Sequence, residues 1–103
     1  MAYEVLVSEA AGRDTDDILM YLIEELGSKK AATDFIDALD EKYAILEEHP
    51  YVFELSRNER LAIIGYHRFV VGSYVVLYLV NEDQQNVVIA RIFHGRREYE
   101  RLL

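Results

Sequence analysis

Cysteine is absent from all 103 residues. That excludes a disulfide scaffold, a thiolate nucleophile and any cysteine-based zinc site, and it is compatible with the cytosol. Proline occurs once, so neither a proline-rich linker nor a disordered low-complexity chain is expected. No apolar run approaches the roughly 20 residues that a membrane helix needs; the longest is Tyr74 to Val80. The start, Met-Ala-Tyr-Glu-Val, lacks the basic and apolar regions of a secretory signal. A cytoplasmic protein without membrane contact is the expectation. The glycines form no phosphate loop, since Gly72 and Gly95 sit in turns outside any strand–glycine–helix context. None of Ser8, Ser28, Ser56 and Ser73 stands in a nucleophile elbow. His49, His67 and His94 share no metal-ligand spacing, so neither a metal nor a cofactor is expected.

Half of the residues are apolar and the net charge is −8. At this length one packed domain spanning residues 1–103 is expected. The charge is uneven. Residues 1–56 hold 14 acids and 4 bases, whereas residues 57–103 hold 5 acids and 7 bases, all seven being arginine. An acidic surface repels nucleic acid, but a locally basic half can still meet an anion.

The hydrophobic pattern gives an α+β order. Tyr3 to Val7 alternates as a short first strand. Ser8 and the Gly12–Asp17 stretch supply cap-type side chains and first-turn acids. Ile18, Leu22 and Leu26 then line one helix face, and Gly27 suits its C-terminal end. Ser28 caps a second helix with Ala32, Phe35, Leu39, Tyr43 and Leu46 on one stripe, which His49-Pro50 ends. The short link makes the two an antiparallel helical hairpin. The pairs Asp16-Asp17, Glu24-Glu25 and Glu47-Glu48 flank the stripes and read as solvated helix edges.

Residues 51–60 read as a connection, and Leu61 to Val71 as a strand. Gly72-Ser73 fits a tight hairpin turn with glycine first. Tyr74 to Val80 reads as a central strand covered on both faces. Val87 to Phe93 returns antiparallel after a turn at Asn81–Asn86. These three strands form a meander that completes a curled sheet with the N-terminal strand, and a short helix from Arg96 closes the chain. The helical hairpin covers one sheet face and leaves the other partly open.

The basic corner is His94, Arg96, Arg97, Tyr99 and Arg101. Histidine and tyrosine move protons, and arginine forks match phosphate oxygens, which is what cleaving an RNA phosphodiester through its own 2′-OH requires. His94 is expected near Arg68 if their strands are sheet neighbours on one face. The alternative is structural: Arg91, Arg96, Arg97 and Arg101 pair with the acidic helices, and Tyr99 anchors the core.

Two segments, Tyr66-His-Arg-Phe-Val-Val-Gly-Ser-Tyr-Val-Val-Leu-Tyr-Leu-Val-Asn-Glu82 and Val87-Val-Ile-Ala-Arg-Ile-Phe-His-Gly-Arg-Arg-Glu-Tyr-Glu-Arg-Leu-Leu103, resemble the RelE/ParE superfamily, the toxins of type II toxin–antitoxin addiction modules. The resemblance covers about the last 40 residues, and the helical hairpin agrees in order. It implies a cognate antitoxin partner, with operator DNA reached only through that antitoxin. RelE-like members are implied to be metal-independent mRNA endoribonucleases acting on the ribosome, and ParE-like members to poison DNA gyrase without catalysis. Ribosome-dependent mRNA cleavage is the first expectation here, with gyrase inhibition or an inactive antitoxin-binding member as alternatives. Carried onto this sequence, the nuclease roles fall on His94, Arg68, Arg97 and Tyr99 as catalytic residues, with Arg96 and Arg68 holding phosphate. Two positions depart from that pattern. Nuclease members often carry arginine where this chain has Val75 and Leu79, and its acidic charge also departs from their basic character, so whether it is an enzyme stays open.

Overall fold

The computed structural model describes residues 2–96. Strand β1 (Glu4–Val7) leads into helix α1 (Glu9–Met20), whose last turn widens into a π-helical turn (Tyr21–Glu25). Helix α2 (Lys29–Glu48), a short helix α3 (Glu59–Ile64) and strands β2 (His67–Val71), β3 (Tyr74–Asn81) and β4 (Asn86–His94) follow. Local chemistry sets these ends. The Ser8 and Ser28 hydroxyls accept from the backbone N–H of Ala11 and Ala31, each satisfying an N–H that the first helical turn leaves unpaired. Gly27, at φ 63°, takes the left-handed conformation between the two helices, and α2 stops before Pro50 as the sequence indicates.

The sheet order is β1-β4-β3-β2, with β1 parallel to β4 and the other pairs antiparallel. The expected meander and the central position of Tyr74–Val80 are both present. The Gly72-Ser73 turn has a positive φ only at glycine, 57°, as in the type II′ turn that matches strand twist. It pairs Val71 with Tyr74 and therefore Arg68 with Leu77.

The strand expected over Leu61–Val71 divides in two: Glu59–Ile64 is helical and only His67–Val71 is strand. Asn58 Oδ1 accepts from Leu61 N at 3.1 Å, and Gly65, at φ 112°, returns its N–H to the carbonyls of Leu61 and Ala62. These caps close both ends of a helix too short to persist alone. The short C-terminal helix expected from Arg96 lies outside the described residues.

Alternation divides the sheet into two faces. The inner face, under α1 and α2, carries Phe69, Val71, Val76, Tyr78, Val87, Ile89 and Ile92 in the main core. The Phe35 and Tyr74 rings meet edge-on at 5.3 Å. The outer face holds a smaller cluster in which Leu61 of α3 covers Val75, Leu77 and Phe93. Part of the face expected to be open is thus closed by α3.

Burial pushes the hydroxyls of Tyr43 and Tyr78 from the ordinary 10.0 up to about 12, with Asp40 adding to the effect at Tyr43. A tyrosine that holds its proton more tightly when folded stabilises the fold fully below its unfolded value and loses that contribution as pH rises through the folded value. Urea midpoints recorded from about pH 9 to about pH 12 should therefore fall, with tyrosinate absorbance of these two side chains appearing together with unfolding. Ionisation of both in a chain that stays folded would contradict this.

Candidate functional site

Strand β4 carries an extra residue. Tyr78 pairs with Ile89, but Leu77 pairs with Arg91, so Ala90 is bulged out of the ladder. A bulge of one residue shifts the parity of everything beyond it. Before Ala90, Val87 and Ile89 face inward; after it, Ile92 faces inward opposite Val76, Phe93 outward opposite Val75, and His94 inward opposite Tyr74.

Helix α1 holds this bulge. The Ser8 hydroxyl donates to the Ala90 carbonyl at 2.9 Å. Asp14 accepts from Arg91 Nε at 2.7 Å and Nη2 at 3.0 Å, and from the Ile92 backbone N–H at 2.9 Å. Beyond Val7, β1 no longer covers this edge of β4, so one carboxylate satisfies an edge N–H and a guanidinium together. Both side chains are largely buried, at 19% and 14% exposure, and the Asp14 hydrogen bond raises the Arg91 pKa further. Arg91 thus pairs with the acidic helix, the structural role that the sequence left open for it.

Arg68 lies opposite Leu77 on the outer face. Its side chain is 10% exposed, and Nη1 reaches Glu54 Oε1 at 3.5 Å. Arg57 Nε shares the same oxygen at 3.3 Å. Arg68 Nε is buried and makes no hydrogen bond among the described residues.

His94 is exposed on the inner face, its ring edge-on to Tyr74 at 5.8 Å. Its Nδ1 accepts from the Arg96 N–H at 3.3 Å, which places the neutral ring's proton on Nε2. Beside it opens a cleft of about 290 Å³ lined by Asp14, Asp17, Ile18, Tyr21, Tyr74 and Ile92. The charge of Asp14 in that lining is balanced by Arg91, and the exposed carboxylate of Asp17 opposes an anion.

Strand β3 separates β2 from β4, and Arg68 and His94 project from opposite faces, so the neighbourhood expected of them does not form. Arg96 is exposed just past β4. Arg97 and Tyr99 lie outside the described residues. Val75, where nuclease members often carry arginine, is buried against Leu61, Leu77 and Phe93. Among the described residues no three His, Asp or Glu side chains converge on a metal position, and no helix is long and apolar enough to cross a membrane.

Two features are not apparent from the sequence. Asp14 resembles one more helix acid, although an acid four residues before an apolar helix stripe and an arginine late in a strand are complementary. Ile63 and Ile64, read as strand residues, are exposed on α3 at 81% and 64%.

The residue pattern of the family described as "ParE toxin of type II toxin-antitoxin system, parDE" matches residues 5–99. Comparison by sequence with curated proteins gives no match. Solved structures share the fold. A chain of the RelBE2 toxin–antitoxin complex of Mycobacterium tuberculosis superposes with a TM-score of 0.63 at 21% identity, over 91% of this chain and 99% of that one. A double arginine-to-alanine variant of the Escherichia coli toxin RelE, in the free state, gives 0.67 at 15% identity over 100% of both chains. The chromosomal ParDE system of Pseudomonas aeruginosa gives 0.69 at 15% identity, over 90% of this chain and 96% of that one.

Proposed function

Because the chain belongs to the ParE toxin family of type II toxin–antitoxin systems, we propose that it arrests growth by gripping a protein, DNA gyrase, rather than by cutting mRNA. In this reading it acts in the cytoplasm, is held in check by a cognate antitoxin, and reaches operator DNA only through that antitoxin. The observation that carries the reading is the separation of Arg68 and His94. Cleavage of a phosphodiester needs proton-transfer and charge-stabilising groups around one phosphate, within hydrogen-bond reach of the reacting atoms. Here the guanidinium of Arg68 is engaged by Glu54 under the outer face, while His94 stands on the inner face beside Asp14 and Asp17. The buried valine at position 75 leaves the outer face apolar at its centre. These surroundings suit protein contact better than a polyanion.

Purified chain added to gyrase should block supercoiling and trap broken DNA, and ribosomes incubated with it should leave transcripts intact. His94→Ala and Arg68→Ala should retain growth arrest when expressed without antitoxin. The opposite pattern, transcripts cut in the ribosomal A site and arrest abolished by His94→Ala, Arg97→Ala or Tyr99→Phe in folded protein, would instead assign the catalytic roles to these residues and phosphate binding to Arg96 and Arg68.

A further inference from the structure

We infer that α3 is the surface with which the chain grips its target, and that the matching target surface is an apolar pocket rimmed by carboxylates. The inference rests on the protein-binding reading above and names the part of the molecule that does the binding. Ile63 and Ile64 are adjacent and exposed at 81% and 64%, more than any other large apolar side chain among the described residues. The fold does not use them: Leu61 alone carries α3 onto the outer face. With about 100° between successive helical residues, Ile63 points away from that face. A six-residue helix held by the Asn58 cap and Gly65 keeps this pair in a fixed orientation, which lowers the entropy lost on docking.

The charge around the pair defines the partner. Arg60 lies three and four residues before the isoleucines, and so on their side of the helix. Arg57, 71% exposed at its side chain, precedes the cap. From residue 54 to residue 68 there are three arginines and two acids, Glu54 and Glu59. Arg68 is largely buried against Glu54, so the exposed cations of this surface are Arg60 and Arg57, the latter also touching Glu54. The acidic hairpin α1–α2 lies across the sheet from this surface. A basic rim around an apolar knob complements carboxylates around an apolar pocket, and mixed anchors of that kind carry most of the energy of protein interfaces. Val70, on the outer face and exposed, extends the apolar surface.

The test uses the full chain and purified gyrase. Ile63→Asp/Ile64→Asp and, separately, Arg60→Glu should each weaken gyrase binding about tenfold or more and relieve growth arrest, as loss of a central anchor does. Thermal unfolding should stay close to wild type, since these side chains are solvent-exposed. If wild type binds gyrase and both variants bind equally well, the α3 assignment is overturned while the protein-binding reading stands. Unchanged gyrase binding with loss of self-association would give the surface to a second copy of the chain. Unchanged gyrase binding with failure of the operon's own antitoxin to relieve arrest would give it to the antitoxin. Wild-type chain that neither binds gyrase nor blocks supercoiling would overturn both the reading and the assignment.

Discussion

Asp14→Ala is expected to destabilise the fold by about 3 kcal/mol, lowering the melting temperature by of order 15 °C for a domain of this size. The carboxylate makes three hydrogen bonds, two to Arg91 and one to the Ile92 N–H. Its removal takes this carboxylate from a largely buried guanidinium and opens an edge N–H, and each such loss costs about 1–3 kcal/mol. Water reaching the edge of β4 offsets part of this, which keeps the expected value below a simple sum. Asp14→Asn should lose less, because its amide oxygen still accepts from Ile92. Urea unfolding of the two variants decides the matter: a loss under about 1 kcal/mol for alanine would mean that solvent replaces the carboxylate freely. The same substitution should loosen the Ala90 bulge, detectable as faster amide exchange at Arg91 and Ile92 than in the β2–β3 hairpin.

Tyr78→Ala should cost about 4 kcal/mol, in the range of large aromatic truncations in a core. Tyr78 is fully buried. Its ring stacks on His67 at 5.2 Å and meets Phe53 and Phe69 at 6.5 and 6.0 Å. Its hydroxyl donates to the Pro50 carbonyl at 3.0 Å, fastening the segment after α2 to the sheet. Tyr78→Phe keeps the ring contacts and leaves that carbonyl unsatisfied, a loss of about 1–2 kcal/mol. Domains of this kind are stable by only about 5–15 kcal/mol. The alanine variant should therefore lose toxicity through unfolding, whereas the phenylalanine variant should remain toxic. Denaturation midpoints that coincide for the two would show that the hydroxyl, rather than the ring, dominates.

The helical hairpin was legible because its punctuation is local: Ser28, Gly27 and His49-Pro50 each act within a turn of where they stand. The β2–β3 pairing was equally accessible, since a two-residue turn at Gly72-Ser73 fixes Arg68 opposite Leu77 by counting. Helix α3 is hidden in the sequence because Leu61-Ala-Ile-Ile64 is apolar without a clear period, and only its caps, Asn58 and Gly65, distinguish it from a strand. The relation of Arg68 to His94 was out of reach for a different reason. It depends on Ala90, whose place outside the ladder is set by Ser8 and Asp14, more than 75 positions away in the chain. No window of local sequence contains both ends of that cause.

One residue of slack in the last strand therefore chooses which hemisphere of the molecule its closing letters address. Counted straight back from Asn81 and Asn86 with no insertion, the histidine would emerge on the same face of the sheet as Arg68, with β3 still between them. With the insertion it emerges on the far side, next to carboxylates. Two proteins can thus spell the same Ile-x-His-Gly-Arg-Arg ending and offer it to different chemistry. Deleting Ala90 would be the smallest edit that carries one arrangement toward the other.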